Sequence, residues 1–359
     1  MSTIKDVARA ADVSVATVSA VANGTKFVSE KLARRVRDAI DATGYQPHGV
    51  ARSLKNGSTQ TLGLVITDIT NPFFTAVARS VEDAAHLAGY AVMLCNSDED
   101  IEKERVYLRL MRSRRVDGLI WAPAGDLRSY DEFRLDKRAP TILLDRQIDG
   151  MPMDAVVVDN VRATKDAIEH LIGLGHWRIS LIAGLPHLST SRERLQGYRE
   201  AMAEHGLKNA PGLVVNGNFR SKSAHEAALA LLRTEPRPTA IFASNNLMAI
   251  GVLTAIRELG LRCPQDISVA AFDDSEEASL FSPGLTTIAQ PTAAIGAKAV
   301  EVVLKRIHQP MNRESPEVAT MKAHLCVRGS CAPPDIAATD GRSSIASRSN
   351  AVPSKRISS

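Results

Sequence analysis

The chain reads as α/β: a two-lobed body of doubly wound parallel sheets, with a small all-helical head at its N-terminus. Three observations predict this. From Thr61 to about residue 330, short continuous apolar runs alternate with amphipathic stretches, the pattern of strands buried on both faces and connected by helices. The alternation is repeated in a second half, which asks for two lobes rather than one sheet. The first 46 residues contain no such run, only short helical patterns punctuated by caps and turns.

Composition bounds the rest. At 359 residues and 44% hydrophobic, the chain is long enough for a small module plus a two-lobed body. No stretch of about 18 apolar residues occurs, so no membrane span is expected. Lys5, Asp6 and Arg9 interrupt any apolar leader, and a cytoplasmic protein is expected. Cys95, Cys263, Cys326 and Cys331 are scattered without metal-ligand spacing and read as reduced thiols. Residues 1–60 hold nine Lys and Arg against five Asp and Glu, an excess of four that equals the chain's whole net charge of +4. A basic head on a neutral body fits a polyanionic partner for the head alone.

In the head, Thr3 caps a first helix, and Asp6 three residues later approximates a capping box. Val7, Ala8 and Ala11 form its apolar face. Asp12-Val13-Ser14 makes a tight turn, and Ser14 caps a second helix. Val18, with Val21 or Ala22, points back to the core. That leaves Val15, Ala16, Thr17 and Ala20 on a free face, where a helix in the major groove meets base edges. Val15, Ala16 and Ala20 suit thymine methyls, whereas Thr17 and Ser19 suit phosphates. Asn23-Gly24 ends the helix. Ser29 caps a third, with Leu32, Val36, Ala39 and Ile40 on one face, Arg34, Arg35 and Arg37 largely outside, and Gly44 as its stop. Pro47 to Gly57 then reads as a short linker helix, too short to be stable alone in water. Leu54 stands out there as a large apolar residue on a basic segment. It packs on a neighbouring surface or wedges into a minor groove.

In the body, strands are expected at 62–66, 91–95, 117–121, 141–145, 179–184, 240–244 and 267–273. Helices are expected at 72–88, 101–112, 192–206, 222–233 and 247–260. Ligands of such lobes bind beyond the carboxyl ends of the strands. The residues standing there are Asn71, Phe73 and Phe74, then Asp145 and Arg146, then Thr190, Arg192 and Arg194, and finally Phe219, Asn245, Asp273 and Gln290. Aromatic faces with Asp, Asn and Arg suit a polyol. Each also has a structural alternative: Asp145 as a turn cap, the phenylalanines as interlobe core, Arg192 pointing to solvent, Arg194 and Asp273 as a closing salt bridge.

The motifs Thr3-Ile4-Lys5-Asp6-Val7-Ala8, Val13-Ser14, Thr17-Val18-Ser19, Asn23, Tyr45 with Pro47, and Ala51-Arg52-Ser53-Leu54 resemble the LacI/GalR family of bacterial transcription regulators. The resemblance runs from residue 3 to about 330. It implies a helix-turn-helix head at 1–46, a hinge helix and linker at 47–60, and a periplasmic-binding-protein-like effector and dimerisation domain at 61–330. Lobe one is expected at about 61–160 plus 291–322, and lobe two at about 161–290 plus 323–330. It implies a homodimer on a pseudo-palindromic operator in double-stranded DNA, with Leu54 beside its twin in the minor groove. The DNA-facing set is then Thr3, Val15, Ala16, Thr17, Ser19, Ala20 and Asn23, with Ala51, Arg52, Leu54 and Lys55 in the hinge. In the family, positions matching Phe73, Arg146, Ser189 or Thr190, Arg194, Phe219, Asn245, Asp273 and Gln290 line the effector pocket.

One departure is visible. Asn246 stands where the family very often carries Asp, which makes a sugar acid or sugar phosphate worth weighing beside the neutral sugar ranked first. The expected function is repression of a carbohydrate operon, controlled by a sugar between the lobes. The alternatives are a sugar acid, sugar phosphate or nucleobase effector, corepression or activation, or, in another class, a solute-binding transport protein. No cofactor or metal is expected. The nine histidines lack metal spacing, and no Walker or GxGxxG pattern occurs, so no enzyme is expected. Residues 331–359 read as a disordered tail without leucine heptads, which favours a dimer over a tetramer.

Overall fold

The computed structural model describes residues 2–23, 26–45, 58–130, 139–207, 210–309 and 315–335. The chain divides into two units: residues 1–61 with 115–117, and residues 62–114 with 118–359.

The first unit is organised by local capping. Helix α1 (Ile4–Ala10) starts where the Asp6 carboxylate accepts the Thr3 N–H at 2.9 Å and the Thr3 hydroxyl at 2.7 Å. These bonds hold Asp6 below the usual carboxylate range. Asp12 takes the turn with φ 49°. Ser14 Oγ accepts the Thr17 N–H at 3.1 Å and opens α2 (Val15–Asn23). Helix α3 (Glu30–Thr43) ends on Gly44 at φ 59°, a left-handed position that glycine takes without strain. Val7, Ala8, Ala11, Val18, Val36 and Ala39 form the core, with Val21 packed against it. Arg35, exposed as expected, also donates to the Ala11 and Asp12 carbonyls at the end of α1. A guanidinium suits the orphan carbonyls of a helix terminus. The Asp117 carboxylate fixes the end of this unit, accepting from the Ser58 hydroxyl and from the Thr59 and Gln60 N–H groups. The linker helix expected at 47–57, with Ala51, Arg52, Leu54 and Lys55, lies outside the described residues. So do the Asn23 side chain and the tail from 336 onward.

The second unit carries two six-stranded sheets. Sheet one contains β1 (Thr61–Ile66), β2 (Ala91–Asn96), β3 (Gly118–Trp121), β4 (Thr141–Leu144), β5 (Asp154–Val158) and β11 (Val318–Met321), in the order β11-β5-β4-β3-β1-β2. Sheet two contains β6 (Ile179–Ala183), β7 (Val214–Asn216), β8 (Ala240–Ala243), β9 (Ser268–Phe272), β10 (Thr286–Ala289) and β12 (His324–Cys326), in the order β12-β10-β9-β8-β6-β7. Strands β1 and β3 run parallel with Leu62 opposite Gly118, whereas β12 runs antiparallel to β10. Helices α4 (Pro72–Leu87), α5 (Ile101–Arg114) and α10 (Thr292–His308) accompany sheet one. Helices α6 (Asn160–Gly173), α7 (Ser189–Glu204), α8 (Ser221–Leu232) and α9 (Asn246–Glu258) accompany sheet two. The chain therefore passes between the lobes after β5, after β10 and between β11 and β12.

Every residue of β6, β8 and β9 is buried, as their largely apolar runs require. The edge strand β2 is only half-buried. Strands β5, β7 and β10 were not expected. Strand β7 has only three residues, too few to carry a period. Among the described residues, no helix is long and apolar enough to cross a membrane.

Candidate effector cleft and DNA-binding face

Parallel strands deliver their C-terminal ends to one place, and in both sheets those ends meet at a cleft of about 380 Å³, its open mouth included. Sheet one contributes Asp68 and Asn71 after β1, Glu99 after β2, and Asp145 and Arg146 after β4. Sheet two contributes Thr190 and Arg194 in the first turns of α7, Phe219 and Arg220 after β7, Asn245 after β8 and Asp273 after β9. Phe73 and Phe74, at the start of α4, complete the lining. Their rings meet edge to face at 5.0 Å. The backbone is strained here. Glu99, Asp145, Phe219 and Asp273 have φ between 57° and 69°, as do the neighbouring residues Asp98 at 64° and, slightly lower, Asn218 at 53°. Non-glycine residues in this region cluster where side chains are re-aimed for function.

Helix starts hold several lining groups. Asn71 Oδ1 accepts the Phe73 N–H at 3.0 Å, and Asn245 Oδ1 accepts the Met248 N–H at 2.8 Å. Asn71 Oδ1 also accepts from Asn246 Nδ2 at 3.0 Å, across the two lobes. The asparagine that departs from the family pattern thus supplies an amide donor to a latch. Gly184 leaves room for Phe219: a Cβ there would lie 2.0 Å from the ring. Phe219 also lies 5.7 Å from the Arg146 guanidinium.

The charges are buried and matched. Arg146 gives both terminal nitrogens to Glu99, at 2.8 and 2.7 Å, and one also to the Pro123 carbonyl at 2.9 Å. Its Nε has no hydrogen-bond partner. Arg194 donates to Asn160 Oδ1 at 2.9 Å and to the Ser244 carbonyl, and its guanidinium lies 3.6 Å above the Phe272 ring. Burial pushes the Asp145 carboxyl up to about 6, opposed by Arg146 and Arg194. Burial likewise raises Asp273, opposed by Arg194 and by the Gln290 amide, which donates at 2.6 Å. Thr190 Oγ1 is buried without a partner. Such an orphan group facing a cleft is a natural ligand contact.

Ten of the twelve residues expected in the cleft line it. Arg192 does not: it is 41% exposed and is held by the His187 carbonyl and Asp149, both at 2.6 Å. Two residues along a helix turn a side chain by about 200°, so Arg192 and Arg194 cannot share a face. Gln290 stands behind the lining and reaches the cleft through Asp273. Sequence reasoning missed Asp68, Glu99 and Arg220. Arg220 donates to Asp68 Oδ2 at 2.8 Å and to the Asp98 carbonyl at 2.7 Å. Asp68 and Glu99 follow strands, as the strand-end rule would have suggested, but polar residues in loops are too common to single out.

On the head, Val15 is 41% exposed and Ala16 is also exposed, at the start of α2. Thr3 is exposed at the start of α1, and Thr17 and Ser19 are half-buried. The Thr17 hydroxyl lies 2.9 Å from Ser14 Oγ. Ala20 departs from expectation: it is buried, at 8% exposure. Five residues after Val15, it has turned about 140° away from that side chain, and a methyl is too short to reach past its neighbours.

A capped helix-turn-helix with an exposed second-helix start, in one chain with a two-lobed body whose strand ends meet at a charged and aromatic cleft, defines a class: DNA-binding transcription regulators with an effector domain. Residues 3–48 match the description "Bacterial regulatory proteins, lacI family", and 168–331 match "Periplasmic binding protein-like domain". The HTH-type transcriptional repressor PurR of Aliivibrio salmonicida is 37% identical over 330 residues, 90% of this chain and 99% of that one. Among solved structures, the lac repressor dimer bound to operator and the anti-inducer ONPF has a TM-score of 0.80 and 27% identity, covering 92% of this chain and 99% of that one. A LacI family regulator from Enterococcus faecium with bound ribose has a TM-score of 0.67 and 30% identity, covering 76% and 99%. The chain belongs to the lacI family, as a DNA-binding transcriptional repressor with an effector domain and not an enzyme.

Proposed function

We propose that the protein is a homodimeric repressor of a pseudo-palindromic operator, controlled by a small neutral sugar bound in the cleft. The observation that carries this reading is the pairing of opposite charges beside phenyl rings: Asp145 with Arg146, and Asp273 facing Arg194. A hydroxyl both donates and accepts, so neighbouring hydroxyls match alternating carboxylates and guanidiniums. Phe73, Phe74 and Phe219 offer apolar faces to the ring carbons. The Enterococcus faecium neighbour's bound ribose supports the same ligand class here. A nucleobase is the second reading, favoured by the name PurR that the curated relatives share.

In the head, Val15 and Ala16 face base edges, with apolar contacts to thymine methyls, while Thr17 and Ser19 serve the phosphates. In the hinge, Leu54 is the minor-groove wedge. Effector binding shifts the population between two arrangements of the lobes, and operator affinity follows. Calorimetry of the purified protein against neutral pentoses and hexoses, sugar acids, sugar phosphates and purine bases tests the ligand. The expected result is binding of a neutral sugar that also changes operator affinity in fluorescence anisotropy. Binding of bases alone, or of anions alone, overturns the sugar.

A further inference from the structure

Three guanidiniums line the cleft, and all are engaged. Arg220 is held by Asp68 and the Asp98 carbonyl. Arg194 is held by Asn160 and the Ser244 carbonyl and lies in the field of Asp145 and Asp273. Arg146 is the case in which a single carboxylate takes the whole fork. Its side chain is 4% exposed, and Glu99, at 10%, takes both terminal nitrogens in a two-pronged bond. Such fork-to-fork geometry reproduces the contact that Arg would give a ligand's carboxylate or phosphate. Glu99 occupies the place of an anionic ligand group.

The backbone is bent to put it there. Asp98 and Glu99 are consecutive non-glycine residues in the left-handed region, at φ 64° and 60°. The loop is fixed on both sides. Ser97 donates its N–H to the Ile66 carbonyl at 2.8 Å, and Asp100 caps α5 through the Glu102 and Lys103 N–H groups. A costly conformation held from both ends aims a side chain, and this one is aimed at Arg146. The atom left over is Arg146 Nε, buried, without a hydrogen bond and 3.5 Å from Asp145 Oδ2, a single donor suited to a hydroxyl or carbonyl oxygen.

We propose that Glu99 sets the charge class of the effector: by saturating Arg146 it admits neutral solutes and excludes anionic ones. This rests on the reading that a small solute binds in the cleft, but not on its being a sugar. The same groups would discriminate a neutral base from an anionic one. With Glu99 ionised, four lining carboxylates face three guanidiniums. An incoming carboxylate meets like charge and no free fork.

The test is calorimetry on matched pairs at pH 7.5: aldopentoses and aldohexoses against their aldonic acids and sugar phosphates, and hypoxanthine against urate. Wild type, Glu99→Gln and Glu99→Asp are compared. Glu99→Gln keeps the size and removes the charge. The ratio of anion to neutral affinity should rise on the order of tenfold or more in Glu99→Gln, given the cost of like charges in a desolvated site. Glu99→Asp, which keeps the charge, should not gain anion binding and so separates charge from packing. If wild type binds a neutral base and no sugar, the sugar reading fails while the charge rule stands. A wild type that binds an anion as tightly as its neutral partner overturns the charge rule. So does a Glu99→Gln protein that gains no anion, whether or not neutral ligands still bind.

Discussion

The two walls of the cleft carry opposite charge. The wall from sheet one presents Asp68, Glu99 and Asp145 against Arg146 alone, whereas the wall from sheet two presents Arg194 and Arg220 against Asp273 alone. Closure brings the surpluses together. Arg220 meets Asp68, Asn246 meets Asn71, Arg192 meets Asp149, and the His187 ring meets the Ala124 carbonyl at 3.0 Å. These contacts join the walls directly. An effector acts on the balance between arrangements of the lobes. It does so to the extent that it binds one arrangement better than the other.

The comparison breaks most visibly at Arg194. It is fully desolvated, donates to Asn160 and the Ser244 carbonyl, and offsets Asp145 and Asp273. Arg194→Ala leaves two buried carboxylates without their shared cation. Removing one partner of a buried charge set costs about 3–5 kcal/mol. Urea denaturation should show a loss of that order, and calorimetry should show effector affinity falling by more than about a hundredfold. Full affinity retained in Arg194→Ala would mean that the sheet-one wall binds the effector alone.

A smaller effect comes from pH. Burial lifts the Asp145 carboxyl from 3.8 to about 6, so the folded protein holds this proton more tightly than the unfolded chain does. The associated stability is present below about pH 4 and is lost as pH rises through 6. Ligand binding runs the other way, because a hydroxyl donates to the ionised carboxylate. Affinity for a neutral sugar should fall by about tenfold between pH 7 and pH 5, as a group titrating near 6 requires. Asp145→Asn should flatten that profile. A wild-type profile level across this window would assign Asp145 to the turn and not to the ligand.

What could be read from the sequence differs between head and cleft for a physical reason. Caps, the tight turn and the apolar faces of the head are local, so Ser14, Val18 and Gly44 declare their roles within a few residues. In the body the buried strands were equally plain, because β6, β8 and β9 are largely apolar runs. Residue types at strand ends pointed to Phe73, Arg146, Arg194 and Asp273. Pairing did not follow from type. That Arg146 belongs to Glu99, 47 residues earlier, and Arg220 to Asp68, 152 residues earlier, is decided by how two sheets meet. Arg192 and Arg194 look alike in sequence and part company only through helical rotation. Ala20 was left to the open face once Val18 and Val21 or Ala22 were given to the core, and its burial at 8% exposure depends on neighbours that such elimination does not reveal.

The smallest expected effect sits at the rim. Arg220 is 36% exposed where it meets Asp68, so solvent and salt screen the pair and its worth is about 1 kcal/mol or less. Arg220→Gln removes the charge but retains donors for the Asp98 carbonyl. If opposite charge on the walls assists closure, effector affinity should fall about three- to fivefold at low ionic strength. The deficit should shrink as salt is added, because salt weakens the wild-type contact and has nothing to weaken in the variant. A deficit of the same size at 0.02 and 0.5 M salt would assign Arg220 to shape rather than charge. An unchanged affinity at both would leave the closed arrangement to Asn246, Asn71 and the ligand. In either case the salt series separates attraction between the walls from the packing they share.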